Sequence, residues 1–323
     1  MENSNKPTIH YKKNTVILTM AGVLLLAVCL TFMVQLPQIP TAHVPPSGQP
    51  SSAQPQQQQQ QPSFRCNCVI LRADDIQDDW EQKPQLALLD TFISKSVPLS
   101  VGLVMNHFGS DPVIVDKVKQ GGLLFEYDIH GWDHVDYATL SAREQQESIS
   151  RAQAKMESIM GRNSTVFLPP YNNFDAGTLT GMRASGLDVI SSSKADSDPY
   201  APANDTLGIF HMPQSINYGY TDTTDSGNSN EKHAWRTNAE MDSAVDADID
   251  ARGWAVVTVH PQDFAKYDEN GKMLDMADEQ KVDTFKAFID QLLAEGKTLT
   301  TFEGAVQTMR DDGDDAGDQS GSS

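Results

Sequence analysis

Two histidines four residues apart and a pair of adjacent aspartates are the residues of this 323-residue chain best suited to chemistry. His130 and His134 form an H-x-x-x-H pair, and on one turn of helix such residues share a face and can bind one metal ion. The pair alone is weak evidence, because this spacing often arises by chance in a chain with eight histidines. Asp75, at the end of a predicted strand, supplies a third, oxygen ligand. Two histidines and one carboxylate leave a position open for water, which is the arrangement of a catalytic zinc site.

The neighbouring carboxylate, Asp74, has a separate interpretation. Adjacent strand residues point to opposite sides, but where a strand ends the backbone turns and both side chains can reach one pocket. Two carboxylates in one pocket repel each other, so Asp75 as metal ligand and Asp74 as general base is the favoured division. An acidic turn that caps the next segment is the alternative. His211 and His233 have no partner at metal-ligand spacing, and we expect them to be structural or exposed.

These residues must be positioned by strands and helices, which alternate along the sequence. Short apolar runs predict strands, and apolar residues at helical spacing predict helices. The predicted strands cover 68–75, 99–105, 123–129, 165–168, 189–191, 254–259 and 298–302, and the predicted helices cover 82–97, 113–119, 141–160, 176–184, 239–251 and 279–293. This alternation predicts an α/β fold with a mostly parallel sheet, either an open sheet or a (β/α) barrel. The reactive residues follow predicted strands, where the active sites of barrels lie.

Composition excludes several classes of protein. With 24 Lys and Arg against 44 Asp and Glu, the net charge is −20, so we expect no nucleic-acid binding. Three cysteines are too few for a scaffold built on disulfides. Cys66 and Cys68 would share one face of a strand, where a disulfide between them would be strained. We therefore expect these two cysteines to be unpaired or to contact another chain, in a role that the sequence does not define.

The two ends of the chain differ from its middle. Residues 15–34 are uncharged and mostly apolar, and as a helix they would cover the roughly 30 Å of a bilayer core. Lysines precede this run, so we expect a single-pass anchor with the N-terminus in the cytoplasm. The predicted organisation is a cytoplasmic N-terminus (1–14), a transmembrane signal anchor (15–35), a disordered Pro- and Gln-rich linker (36–63), a catalytic domain (64–310) and a disordered acidic tail (311–323).

Four short motifs, taken in order, resemble the polysaccharide deacetylase family. They are RADD (72–75), HGWDH (130–134), LPPY (168–171) and VTVHP (257–261). The resemblance covers about residues 64–307. It implies an incomplete (β/α) barrel and a metal-dependent enzyme that removes N- or O-acetyl groups from chitin-like, peptidoglycan or related glycans.

The resemblance also implies a role for each matching residue. Asp74 would be the general base, and Asp75 would bind the metal together with His130 and His134. Tyr171 would contribute its backbone N–H to an oxyanion site, and His260 would be the acid that protonates the leaving group. These roles agree with the chemistry of the groups, since a histidine ionises near neutral pH and a backbone N–H can stabilise a tetrahedral oxyanion.

The sequence departs from the family pattern in its charged and turn residues. Leu168 stands where the family has an arginine that pairs with the base, and Asn172 replaces a glycine. Arg72 stands two residues before Asp74 and shares its strand face, so we hypothesise that Arg72 supplies the missing cation. Trp132, inside the metal motif, is the tryptophan best placed to stack on a sugar ring, with core packing as the alternative.

The favoured function is a membrane-anchored, extracytoplasmic, metal-dependent hydrolase that deacetylates a cell-envelope polysaccharide. The expected partners are an acetylated glycan and the membrane, and the expected metal is Zn²⁺, with Co²⁺, Ni²⁺ or Fe²⁺ compatible with the same ligands. A catalytically silent glycan-binding or envelope protein on the same fold is one alternative, favoured by Leu168. Another metal-dependent amidohydrolase is the second, since it would share the site and differ only in substrate.

Overall fold

Mostly buried strands, several of which are followed by a helix, assemble into one parallel sheet. The computed structural model describes residues 66–78, 80–192, 208–222 and 232–318, which belong to one unit. The sheet contains β1 (Cys68–Ile76), β2 (Leu99–Leu103), β3 (Phe125–Ile129), β4 (Val166–Phe167), β5 (Val189–Ile190), β6 (Phe210–His211), β7 (Ile216–Asn217), β10 (Trp254–Val259) and β13 (Thr298–Thr300). Two antiparallel hairpins complete the strands, β8 (Gly219–Asp222) with β9 (Lys232–Trp235) and β11 (Ala265–Tyr267) with β12 (Met273–Ala277).

The strand order makes this sheet an incomplete (β/α) barrel, as predicted. The order is β6-β5-β4-β3-β2-β1-β10-β7, and β13 pairs with the start of β1. Among the described strands, the two ends of this order do not pair with each other. β1 and β10 pair in parallel with Leu71 opposite Val257, both fully buried. Asp74 and Asp75 on β1 and His260 directly after β10 therefore lie at the same edge of the sheet.

Seven helices are described. They are α1 (Gln82–Lys95), α2 (Pro112–Gln120), α3 (Ala142–Met160), α4 (Ala176–Ala184), α5 (Asn238–Arg252), α6 (Glu279–Ala294) and α7 (Phe302–Asp318). The start of α3 follows the sequence signal: Ser141 and Glu144 form a capping box in which each side chain accepts the other residue's N–H. Helix α7 extends into the predicted acidic tail, and a Gln307–Asp311 side-chain hydrogen bond of 2.6 Å spans one of its turns.

The expectation that Cys66 and Cys68 are unpaired is wrong, because the structure joins them by a disulfide. The strand begins only at Cys68, and Asn67 has a φ of 45° in the left-handed region. The chain therefore turns between the two cysteines, whose Cα atoms lie 5.1 Å apart. This separation lies within the range of ordinary disulfides.

Short strands lie between the predicted strand 189–191 and the predicted helix 239–251, where no strand was predicted. The described residues 208–222 and 232–235 hold β6, β7 and the β8–β9 hairpin. β6 and β7 form the two edges of the barrel sheet, so this segment completes it.

The predicted anchor, linker and N-terminus lie outside the described residues. Among the helices that the structure does describe, none is both long and apolar enough to cross a membrane.

Candidate active site

Asp74 and Asp75 are adjacent, yet both lie in the site, because β1 is irregular where they stand. The pairing register between β1 and β2 shifts between Ala73 and Ile76, and Asp75 has a φ of 63°. A bulge of this kind bends a strand and redirects its side chains. Gly102 lies on β2 beside the bulge, and a Cβ there would stand 3.2 Å from Asp74 Oδ1. The strand therefore turns before its end rather than after it, and both carboxylates reach the same region.

Three of the predicted ligands converge on one point. Asp75 Oδ1 lies 3.1 Å from His130 Nε2 and 2.9 Å from His134 Nε2, and the three ligand atoms all lie within 4.8 Å of one another. Asp75 Oδ1 is buried, and among the described residues it has no well-directed hydrogen bond, even to these nitrogens. His130 Nδ1 lies 2.8 Å from the Leu168 carbonyl, to which it must donate, so Nε2 carries the lone pair. Such convergent lone pairs fit a divalent cation.

The H-x-x-x-H pair achieves this convergence without a helix, so the predicted helical turn is wrong. Residues 130–134 form a loop after β3, in which Gly131 has a φ of 76° and His134 a φ of 52°. The two left-handed residues fold the loop back, and the imidazole centroids of His130 and His134 are 4.9 Å apart. A left-handed conformation is costly for a non-glycine residue and often marks a functional site.

Arg72 makes the contact with Asp74 that was hypothesised from the sequence. Its Nε lies 2.7 Å from Asp74 Oδ1 and its Nη2 2.5 Å from Oδ2, while Nη1 donates to the Ser191 carbonyl at 2.9 Å. Arg72 is fully buried and Asp74 is almost so. Burial acts to raise the pKa of Asp74, but the guanidinium beside it holds that pKa below its usual value. Asp74 is therefore held as a carboxylate.

His260 lies at the end of β10, near the same carboxylate. Asp74 Oδ2 is 4.0 Å from His260 Nε2 and also 4.0 Å from His130 Nε2. Asp263, fully buried in the 3₁₀ helix Pro261–Phe264, accepts the His260 backbone N–H at 2.7 Å and lies 3.8 Å from its Nδ1. Burial lowers the pKa of His260, but the carboxylates of Asp263, Asp74 and Asp75 raise it to about 9. The imidazole is therefore protonated at neutral pH.

The loop after β4 contributes Tyr171, which lies beside the metal-site cluster. Its ring centroid is 4.8 Å from that of His134, and 65% of the residue is exposed. Tyr171 has a φ of 59° and Asn172 one of 56°, so Asn172 adopts a left-handed conformation, which asparagine tolerates better than most residues. The loop is tied to the site by the Leu168 carbonyl, which accepts from His130.

Trp132 packs against other side chains of the protein instead of standing free to stack on a sugar ring. Its ring is covered by the Arg151 guanidinium of α3, 4.1 Å from the ring centroid, and Lys155 lies 5.6 Å away. The partly buried ring also packs against the hydrophobic core. These contacts correspond to the packing alternative, because the loop conformation turns the ring toward α3.

The sequence reasoning missed two residues near His260. Asp263 follows His260 by three residues, so an H-x-x-D spacing over one turn could have revealed it. His233 carried no such signal, since it is brought to Asp263 by the β8–β9 hairpin. His233 was expected to be structural or exposed, and the structure adds that it forms an ion pair with Asp263.

The site as a whole combines three kinds of group. It has a convergent set of metal-ligand atoms, a carboxylate held ionised by a buried cation, and an imidazole held protonated. A general base and a general acid beside a metal site suit the hydrolysis of an amide or ester.

Comparison with known proteins agrees with this geometry. Residues 62–190 match the family model "Polysaccharide deacetylase", a range that includes Arg72 and Tyr171 but not His260. A curated chitin deacetylase of Pestalotiopsis sp is 28% identical over 175 residues, which is 53% of this chain and 57% of the relative. The chain thus aligns with little more than half of that relative's length.

A solved structure supports the fold. A protein of Mycobacterium smegmatis assigned as a polysaccharide deacetylase superposes with a TM-score of 0.57 at 14% identity, covering 78% of this chain and 93% of that one. At this identity the likeness bears on the fold alone, which agrees with the incomplete barrel. The family match over residues 62–190 and the curated relative together identify a divergent polysaccharide deacetylase domain within this chain, and the shared fold agrees with it.

Proposed function

We propose that this protein is a metal-dependent hydrolase that removes N- or O-acetyl groups from a cell-envelope polysaccharide. The observation that carries the proposal is the convergence of Asp75, His130 and His134 beside the ionised Asp74 and the protonated His260. The similarity to polysaccharide deacetylases supports the deacetylase activity. That the substrate is a cell-envelope glycan is our proposal.

Asp75, His130 and His134 would hold the metal, and Zn²⁺ suits this donor set. When bound, such an ion polarises the acyl oxygen and lowers the pKa of water. The donor set of two imidazoles and one carboxylate also accepts Co²⁺, Ni²⁺ or Fe²⁺.

The protein's own groups perform the proton transfers. Asp74, held as a carboxylate by Arg72, accepts a proton from the attacking water. The backbone N–H of Tyr171 donates to the oxyanion of the tetrahedral intermediate. His260, held protonated by Asp263, donates to the leaving amine or alcohol. The acid and the base lie 4.0 Å apart, so one small acyl group can engage both.

The proposed location follows from the sequence. The apolar run 15–34, with lysines before it, would anchor the protein in the cell membrane with its catalytic domain outside the cytoplasm. The polar linker 36–63 would let the domain reach a polymer beyond the membrane. Protease treatment of intact cells tests this location, because an external domain would be digested while a cytoplasmic one would survive.

Metal content tests the chemistry. Full-length protein in detergent should hold about one equivalent of metal, and a triple Asp75→Ala, His130→Ala, His134→Ala variant should hold none. Acetate release is then measured on acetylated chitin oligosaccharides, peptidoglycan and acetylxylan. A protein that binds no Zn²⁺ or Co²⁺ would contradict the proposal and favour the silent glycan-binding alternative. A metal-loaded protein active on simple amides but on none of these glycans would favour the amidohydrolase alternative.

A further inference from the structure

Asp263 is held between two imidazoles. It is fully buried, and each of its carboxylate oxygens has its own partner. His233 Nε2 donates to Oδ1 at 2.8 Å, while the His260 backbone N–H donates to Oδ2 at 2.7 Å. The carboxylate therefore cannot rotate without losing a hydrogen bond, and its orientation toward the His260 ring depends on His233.

The β8–β9 hairpin is shaped around this hydrogen bond. Gly219 lies so close that a Cβ there would stand 1.9 Å from Asp263 Oδ1 and 2.6 Å from His233 Nε2. Trp235 Nε1 donates to the Asp263 backbone carbonyl at 2.8 Å. The ring of Tyr267 stacks on that of His233, with centroids 5.7 Å apart and planes 13° from parallel. The close approach of Gly219 and the stacked ring of Tyr267 together hold His233 in one position.

The charges around the pair determine what Asp263 can do. Burial acts to raise the pKa of Asp263, but its hydrogen bonds to His233 and His260 keep that pKa below the usual value. The ionisable groups that face His260 or Asp263 are Asp74, Asp75, His134, Glu81, Tyr218, Tyr267, Lys281 and His233. Of these, only His233 donates a hydrogen bond to the Asp263 carboxylate among the described residues.

We propose that His233 is a positioning residue for the reaction, which acts through Asp263 to orient His260 and keep it protonated. The proposal rests on the proposed function of His260 as proton donor. A buried carboxylate that loses a hydrogen bond holds its negative charge less well, so the imidazolium beside it loses support. His233 thus controls a proton on a residue that it does not touch.

Two substitutions of His233 separate this role from packing. His233→Phe keeps the aromatic ring beside Tyr267 and removes the donor, whereas His233→Gln keeps an N–H donor. We expect His233→Phe to lower the proton affinity of His260 about tenfold, to lower kcat about tenfold and to leave KM unchanged. The high-pH limb of the activity profile should move to lower pH, and His233→Gln should restore most of the loss.

Two further variants act as controls from the same hairpin. Trp235→Phe removes a hydrogen bond of the same length to Asp263, but to its backbone carbonyl, and should leave the titration of His260 unchanged. Gly219→Ala changes no ionisable group, yet its Cβ would displace the His233–Asp263 contact, so it should shift the titration as His233→Phe does.

The His260 titration is followed by NMR on the zinc-loaded full-length protein, in parallel with the activity profile. An unchanged titration in His233→Phe, or an equal shift in Trp235→Phe, would overturn the proposal. If the wild-type protein released no acetate, the proposed function would fail, but the NMR titration would still decide whether His233 acts on His260 through Asp263.

Discussion

The role of Arg72 can be tested by removing its positive charge and placing an arginine at position 168 instead. Arg72 and Asp74 form a bidentate pair in a region closed to water, with distances of 2.7 and 2.5 Å. Arg72→Leu would leave the carboxylate buried without its cation. Removing one partner from a buried ion pair costs about 3–5 kcal/mol. Because about 1.4 kcal/mol corresponds to one pH unit, the pKa of Asp74 should rise by roughly two to four pH units.

Leu168 is close enough to supply a replacement. A Cβ built on Gly102 would stand 2.9 Å from Leu168 Cδ1 and 3.2 Å from Asp74 Oδ1, so both side chains reach the same point. An arginine at position 168, which is the family's usual residue there, should therefore reach the carboxylate. We expect the double variant Arg72→Leu, Leu168→Arg to recover activity that Arg72→Leu loses. The matched control is Arg72→Leu, Leu168→Met, which keeps a long side chain of similar volume without charge.

The assay is kcat/KM for acetate release across pH, together with circular dichroism to verify folding. Arg72→Leu should lose about 10²-fold or more in kcat/KM, since a general base contributes 10²–10⁴-fold, and its low-pH limb should move to higher pH. The arginine double variant should exceed the methionine control by at least about tenfold. A folded Arg72→Leu variant with wild-type activity and an unshifted pH profile would refute the assigned role of Arg72.

Three further predictions concern the ligands, the acid and the fold. His134→Ala should lose metal and activity together, whereas His260→Ala should keep the metal and lose activity. Metal content is measured by plasma mass spectrometry, and bound metal in His134→Ala would contradict the ligand assignment. Because the proposed role of His260 requires its protonated form and its pKa is raised to about 9, wild-type activity should persist through neutral pH and fall as pH rises through about 9. A flat kcat/KM profile to pH 10 would oppose this role. Glu126 accepts the backbone N–H groups of Phe302 and Glu303 at the start of α7, so Glu126→Ala should lower the free energy of unfolding by about 3 kcal/mol in urea titrations. Glu126→Gln, which keeps an acceptor, should lose less, and an equal loss in both variants would count against the capping explanation.

The arrangement of secondary structure was largely predictable from local patterns. Apolar runs and helical spacing placed most strands and helices, because a buried face must repeat with the period of its element. The predicted strand 254–259 coincides with β10, and Ser141 caps α3 as expected. The exceptions lie where local pattern is weak: the strands within 208–235 are only two to four residues long, and β6 and β7 pair with strands distant in the sequence.

The amino-acid sequence by itself determined which reactive groups stand at the ends of the strands. It also predicted the pairing of Arg72 with Asp74, because residues two apart on one strand share a face whatever surrounds them. These conclusions depend on residue type and short spacing, which the chain carries without folding.

Only the tertiary structure decided how these groups meet. The left-handed conformation of Asp75 within a β-bulge turns two adjacent carboxylates to one site, and a loop rather than a helix joins the two histidines. The pairing of His233 with Asp263 and the packing of Trp132 under Arg151 join residues from separate elements. Hydrogen bonds and buried charges act over a few ångströms of space, whatever the separation along the chain, so such partners become visible only when the fold brings them together.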